Sequence, residues 1–440
     1  MKFRILLISA ILFSGASSIQ ATTLQEAIGV TIKTNPDVLA AMSERNAVAE
    51  EVNQARAGYL PTVDLALGTG WEKTDSPASR AVGENHISLN RNEASLQLRQ
   101  MLFDGMATSN EVRRQTARTD SRSYGVFGAA ENRALDATEA FINVLREQRL
   151  LDLANTNYEA HERTHDQITL RSNRGVGRKA DTAQSRGRLA LAKANLIAQQ
   201  GNLRDAETTY LRVIGETADN LTEPVSPQSS IPETLDEAIN QALDNHPTLK
   251  SAEADVASAN AQHDTANSPF YPRLDIELGT NADNNIDGIS GYNNDLTAML
   301  RLRYNLLNGG KDKARREETA YLINQATEIR NNTHRQVEQS VRLSWNELQT
   351  VNNQLEYFKL HVDSSEESRD AYQQQFVLGQ RSLLDLLDSE NEVFVSSQDL
   401  VNGEYDQLFA IYRIMNSMGG LLEGLGVALP EEAVKISSTE

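Results

Sequence analysis

The 440 residues include no cysteine, so no disulfide can brace the fold and no lipid can be attached behind a leader. Aromatic residues make up 5% of the chain and hydrophobic residues 39%, which is lean for one compact globule and ordinary for long, narrow helical assemblies. All ten prolines lie at 36, 61, 77, 224, 227, 232, 247, 269, 272 and 430, leaving 78–223 and 273–429 open to very long helices. After residue 21 no stretch reaches the roughly 18 consecutive apolar residues of a transmembrane helix, so any membrane segment has to be β. Positive charge is scarce as well. Against 61 Asp and Glu stand 42 Lys and Arg, a formal charge of −19 with no basic patch, which argues against a nucleic-acid partner. Walker A, GxGxxG, nucleophile-elbow and Cys/His-cluster patterns are missing, so no cofactor and no catalysis are expected and energy has to come from a partner.

What is present is a duplication. Thr23-Leu-Gln-Glu-Ala-Ile28, Asn35-Pro36, Leu60-Pro61 and Gly68-Thr69 return as Thr234-Leu-Asp-Glu-Ala-Ile239, His246-Pro247, Tyr271-Pro272 and Gly279-Thr280, each 211 positions on. Past a loop seven residues shorter in the second copy, the offset becomes 204, pairing Gly105 with Gly309, Gly175 with Gly379 and Asp181 with Asp385. A repeat of about 200 residues is a structural unit, not a solenoid turn. The expected division is a signal peptide at 1–21, a first repeat at 22–216, a Pro/Ser/Thr-rich linker at 217–233, a second repeat at 234–430 and a disordered tail at 431–440. The leader rests on Met1-Lys-Phe-Arg4, the short apolar run Ile5–Phe13 and the small-residue site Ile19-Gln-Ala21.

In the second proline-poor tract, Val337, Val341, Ser344, Leu348, Val351, Leu355, Phe358 and Val362 alternate spacings of four and three, a coiled-coil seam. It predicts one helix from about Lys311 to Phe376, on the order of 100 Å long at 1.5 Å per residue, with a counterpart from about Thr108 to Ser172. Each ends in a glycine turn, Arg174-Gly-Val-Gly-Arg178 or Leu378-Gly-Gln-Arg381, from which a return helix runs over 181–214 or 385–418. Upstream of each long helix the period switches to two. Val63, Leu65 and Leu67 oppose Asp64, Ala66 and Gly68; Leu96 and Leu98 oppose Gln97 and Arg99; Leu274, Ile276 and Leu278 oppose Arg273, Asp275 and Glu277; and Leu296, Leu300 and Leu302 oppose Thr297, Arg301 and Arg303. Strands of 10 to 12 residues alternating this way suit a barrel with lipid outside and water inside; two hairpins of a soluble sheet are the plainer alternative. Trp71 and Tyr304 are candidates for an interfacial girdle. Four strands cannot close a barrel, whereas three copies supply twelve.

The duplicated Thr-Leu-x-Glu-Ala-Ile opening, the strand exits Leu102-Phe-Asp-Gly105 and Leu306-Leu-Asn-Gly309, and above all Gly379-Gln-Arg-Ser-Leu-Leu-Asp-Leu-Leu-Asp388 resemble the TolC family of outer-membrane channel-tunnel proteins over essentially the whole mature chain. The resemblance implies a mainly α homotrimer in which a shared twelve-stranded β-barrel, four strands per protomer, continues into a long α-helical barrel in the periplasm. It implies partners too, a periplasmic adaptor and an inner-membrane transporter at the hairpin tips. The expected function is an outer-membrane exit duct for type I protein secretion, small-molecule efflux or both; the alternative is a soluble periplasmic coiled-coil adaptor or scaffold. Without a cysteine behind the leader, the chain departs from the lipoprotein branch of efflux ducts.

Asp385 and Asp388 lie three apart on one helix face, and three copies would stack two carboxylate rings, the construction of a cation-selective constriction. By resemblance this pair is the periplasmic aperture; a first-turn acidic pair favoured by the helix dipole is the structural alternative. Arg381 and Asp181 fall where the family latches neighbouring tips, with Phe376 in place of a tyrosine of that network. Asp64, Glu72, Arg99, Arg273, Asp275, Glu277, Arg301 and Arg303 are the expected lumen-facing barrel charges, or ordinary exposed strand charges. Two motifs point toward metals. His161-Glu-Arg-Thr-His165 has the zincin spacing, but no glutamate follows between 166 and 206 and the flanks are polar, so a solvated helix face is preferred. Asp283-Asn-Asn-Ile-Asp-Gly288 begins like a calcium loop, yet position twelve is Asn294, and a turn rich in Asp, Asn and Gly explains it without metal.

Overall fold

The computed structural model describes residues 21–434 apart from 82 and 84. The expected signal peptide therefore lies outside the described residues but for its last position. The element order is α1 (Leu24–Thr34), α2 (Pro36–Arg56), β1 (Thr62–Thr74), α3 (Pro77–Ala81), β2 (Ile87–Phe103), α4 (Ala107–Asn173) and α5 (Lys179–Ile214). It continues with α6 (Leu235–Asn245), α7 (Pro247–Ala266), β3 (Arg273–Asn284), β4 (Tyr292–Arg303), α8 (Lys311–Val377), α9 (Leu383–Ser417) and α10 (Leu421–Gly424). Apart from the short α3 and α10, the same series of two helices, two strands and two long helices occurs twice.

The repeated Thr-Leu-x-Glu is a helix start. Thr23 caps α1 by accepting from Glu26 N while the Glu26 carboxylate accepts from Thr23 N, and Thr234 and Glu237 do the same for α6. Asn35 and His246 then cap α2 and α7, each with proline at the first helical position, where no donor is lost. The 67-residue helices α4 and α8 begin and end within a residue or so of the bounds that spacing and proline exclusion set. At the exit of β2, Gly105 has φ 70° and a Cβ there would lie 2.5 Å from Ser268 O, so only glycine fits.

Along each hairpin α4 packs on α5 and α8 on α9, while α1, α2 and α7 pack against α4. The main core sits where the short helices girdle the long ones and gathers Leu24, Ile28, Phe141, Tyr210, Val341, Tyr412 and Leu421. Glu131 is buried in this core and accepts from the backbone N–H groups of Leu421 and Leu422, both at 3.0 Å. Burial pushes its carboxyl up to about 7, against the pull of those two donors.

Two expectations need correction. The tail is not disordered from 431: Glu431–Ala433 form a 3-10 turn packed on α2 and α4, with Ala433 buried, because a small apolar side chain finds cover there. Residues 435–440 lie outside the described residues. The last strand, expected to exit at Leu306-Leu-Asn-Gly309, ends at Arg303, and beyond it the Asn305 side chain accepts from Leu307 N at 3.2 Å in a turn. The stretch between the repeats is tied down as well. Thr22 N donates to Asn220 O and Thr222 N to Thr22 O, both at 3.1 Å, and the Tyr405 hydroxyl donates to Glu223 at 2.6 Å.

Candidate functional site

The four strands form one antiparallel sheet in the order β1-β2-β3-β4. Register decides which side chains share a face, because opposite residues point the same way. Val63 opposes Leu98, Leu65 opposes Leu96, Leu98 opposes Leu278 and Ile276 opposes Leu300. This face is apolar and uncovered: Leu67 is 73% exposed and Leu296 83%. The opposite face carries Asp64 across from Gln97, Arg99 across from Glu277, Asp275 across from Arg301 and Arg273 across from Arg303. Glu72 joins it two pairs beyond Gly70 and Arg91. All eight charges expected on one side are thus brought to one side. Trp71 and Tyr304 are not level with each other; Trp71 is near the far end of β1 and Tyr304 follows β4 at the helix end, so they mark opposite borders of the sheet.

The polar face has an order that spacing alone did not reveal. Next to the helices, Arg273 and Arg303 donate to Asp275 at 3.1 and 2.7 Å, Arg301 donates to Glu277 at 2.6 Å, and Arg99 lies 3.5 Å from Glu277. At the far end Arg91 reaches Glu72 at 2.8 Å, Asp287 at 3.3 Å and also Glu93. Arg91 and Glu93 were missed because β2 starts at Ile87. Over its first residues Ser88, Asn90 and Asn92 occupy the face that is apolar lower down and Ile87 and Leu89 the other, so the alternation is inverted relative to the rest of the strand. The loop beginning Asp283-Asn-Asn is held by the sheet: the N–H groups of Asp287 and Gly288 donate to Glu72 at 3.3 and 2.8 Å, and Asn285 donates to Asn90 O at 3.1 Å.

At the other end of the molecule, Ile168 of α4 packs with Leu383 and Leu387 of α9, and Phe376 lies against them. Phe376 carries the Arg171 guanidinium 5.4 Å above its ring, a contact that needs no hydroxyl. Asp385 closes a capping box on α9. Ser382 N and Oγ donate to its carboxylate at 3.1 and 2.9 Å, and Ser382 Oγ accepts from Asp385 N at 3.3 Å. Those donors, hydroxyl first, hold the carboxyl below the usual aspartate range. Asp388 is bridged by Arg188 of α5, a partner no spacing could indicate. Arg381 and Asp181 are not brought together within the chain. Arg381 donates to Gln375 at 2.9 Å, covers the Tyr372 ring at 4.3 Å and lies 4.0 Å from Asp385. Asp181 sits in the first turn of α5, and no hydrogen bond or ion pair of its side chain is found among the described residues.

Above the tips, a cleft of about 250 Å³ runs between α4 and the α8/α9 pair, with Arg163, Arg369 and Glu390 on its walls. Burial raises the Glu390 carboxyl, against Arg369 and Arg163. Of the zincin-spaced residues, His161 is buried and held below its ordinary pKa by desolvation and by Arg188. His165 Nδ1 lies 2.9 Å from Ser185 Oγ, and Glu162 accepts from the Tyr158 hydroxyl at 2.9 Å. Among the described residues no group of three His, Cys, Asp or Glu is placed to hold a metal.

A family model described as outer membrane efflux protein matches residues 27–216 and 238–420. The chain is 24% identical over 440 residues to outer membrane efflux protein BepC of Brucella suis biovar 1, covering 98% of this chain and 94% of that protein. It is 26% identical to outer membrane protein TolC of Escherichia coli K12, over 97% of this chain and 88% of that one. Among solved structures, CusC, described in terms of folding and transmembrane channel formation, superposes with a TM-score of 0.78 at 15% identity, covering 92% of each chain.

Proposed function

The chain belongs to the outer membrane efflux protein family, and from that premise we propose how its parts make a duct. It is an outer-membrane channel with a periplasmic extension, an exit route of the kind that serves efflux and type I secretion. The observation that carries the reading is the sheet, leucine-rich on one face, charged on the other, with β1 and β4 each paired along one edge only. Lipid covers the leucines and cannot satisfy the open edges. Copies of the chain close them, β4 of one against β1 of the next, and three copies make twelve strands.

The helical part supports the same assembly. Ile329, Leu343 and Tyr357 of α8 recur every 14 residues and are 57, 55 and 69% exposed, a second heptad stripe with no cover in its own chain. Packed against neighbours it would seal a helical barrel. Each protomer is then a tandem of the units 22–216 and 234–430, joined through the bridged segment between them. The polar sheet face lines the duct. The tips receive a periplasmic adaptor and an inner-membrane transporter, which supply the energy this chain has no site to harvest. Cargo is a secreted polypeptide in the first place and small toxic compounds in the second. A soluble adaptor would leave the leucine face of the sheet in water, a patch that soluble monomers avoid.

Light scattering of the detergent-extracted outer-membrane protein, followed by planar-bilayer recording, tests the reading. A trimer giving small, cation-preferring steps is expected. A monomer recovered from the soluble periplasmic fraction would overturn it in favour of the adaptor.

A further inference from the structure

The charges of the polar sheet face are sorted by height. At the foot, beside the helices, four guanidiniums (Arg99, Arg273, Arg301, Arg303) stand over Asp275 and Glu277, with Asp64 one step above, a surplus of one positive charge per chain. The layering strengthens this. The Asp275 side chain is 0% and Glu277 19% exposed, whereas the four arginines are 39–53% exposed, so beside the helices water meets guanidinium and these two acids lie beneath. At the far end, Glu72, Glu93, Asp283, Asp287 and Asp295 face one guanidinium, Arg91, a surplus of four negative charges. Here Asp287 and Glu93 are outermost, 78% and 43% exposed against 38% for Arg91, while Glu72 lies beneath at 15%. Register separates the two groups: the nearest acid of the far end, Asp295, pairs with Asn281 four residues along β3 from Glu277, about 13 Å at 3.3 Å per residue. That exceeds the screening length of about 8 Å at physiological salt, so neither zone cancels the other.

We infer that the barrel lumen is electrically bipolar, a basic collar at its foot and an acidic mouth outside, so that the foot concentrates anionic solutes and the mouth concentrates cations. The inference rests on the proposal that this face lines the duct. In a ring of three copies, low-dielectric walls focus each zone's field onto the axis. An anionic segment of cargo is drawn from the helical barrel into the collar, while anions arriving from outside are held off by the mouth. Mixed charge along these strands is therefore not a neutral lining of paired walls.

The absence of native cysteine makes the potential directly measurable. Asn293→Cys at the mouth lies opposite Asp283, and Met299→Cys at the foot lies opposite Glu277. In purified trimers each thiol is reacted with two methanethiosulfonates differing only in charge, one carrying trimethylammonium and one sulfonate. Both deliver the same disulfide-forming group and release methanesulfinate, so the cation-to-anion rate ratio cancels thiol ionisation and access. The mouth ratio should exceed the foot ratio at least about tenfold. Adding Asp283→Asn and Asp295→Asn should bring the mouth ratio down severalfold and leave the foot unchanged. Equal ratios at the two positions would overturn the bipolar lumen while leaving the duct intact. Thiols that react with neither reagent until the trimer is unfolded would overturn the placement of this face in the lumen, and the inference with it.

Discussion

The two hairpin tips descend from one repeat and have parted. At the second tip, Ser382 caps α9 and its box occupies the Asp385 carboxylate; at the first, the matching N-cap is Arg178, which makes no side-chain cap. The backbone hardly differs, Arg178 having φ −88° and ψ 138°, Ser382 φ −80° and ψ 159°. One side chain therefore decides what the next aspartate does. Asp385 turns back onto its own helix, whereas Asp181 has no side-chain hydrogen bond or ion pair among the described residues. The second tip is fixed by local bonds, and the first leaves its carboxylate uncommitted. Duplication thus yields a capping aspartate and an uncommitted one from the same position.

The strongest way to break the contrast is to remove the acidic pair. Asp385→Ala with Asp388→Ala should lower the cation-to-anion permeability ratio of bilayer-reconstituted trimers severalfold, with the trimers still intact on size exclusion; an unchanged ratio would place the constriction elsewhere. Asp181→Ala should then raise resting single-channel conductance, because the proposed link between copies is gone, while leaving the α5 start as slow in hydrogen exchange as before. Conductance at the wild-type level would show that the tips are held by other contacts.

Arg188→Gln should move selectivity the opposite way from the double alanine variant, by about twofold, since it leaves the Asp388 carboxylate without its counterion. A swap of caps sharpens the comparison further. Ser382→Ala should destabilise the start of α9 by about 1 kcal/mol, and Arg178→Ser should stabilise that of α5 by about 0.5–1 kcal/mol while drawing Asp181 into a new box. Hydrogen exchange at the two first turns reads both. Acidification gives the smallest effect. Because the folded-state pKa of Asp385 is depressed, the stability it contributes is present above its unfolded pKa and is lost as pH falls through the folded one. First-turn amides of α9 should lose protection below the usual aspartate range, and those of α5 should show no such step.

The contrast between the tips was half visible in the sequence. The offset of 204 already set Arg178 against Ser382, but which aspartate is occupied depends on bonds closed three residues away, and on Arg188, 200 residues from the Asp388 it meets. Long helices were legible because heptad spacing and a lack of proline act over tens of residues. The lower sheet was legible because lipid on one side and water on the other enforce a period of two. Where the start of β2 puts Ser88, Asn90 and Asn92 on the face that is apolar lower down, and Ile87 and Leu89 on the other, the pattern falls out of phase with the rest of the strand, and Arg91 and Glu93 went unseen. Ala433 was taken for part of a polar tail because one buried methyl has no periodicity.

The Glu131 contact bears on how the molecule comes into being. The backbone amides it receives belong to Leu421 and Leu422, some 290 residues further along the chain. Nearly the whole polypeptide has to emerge before α4 acquires this cover, so its central core closes among the last steps of folding. Until then a carboxylate lies open beside unfinished apolar surface, and a chain cut short before Leu421 presents just that surface. The order in which the chain appears thus leaves one of its two longest helices without full cover until almost everything else has arrived.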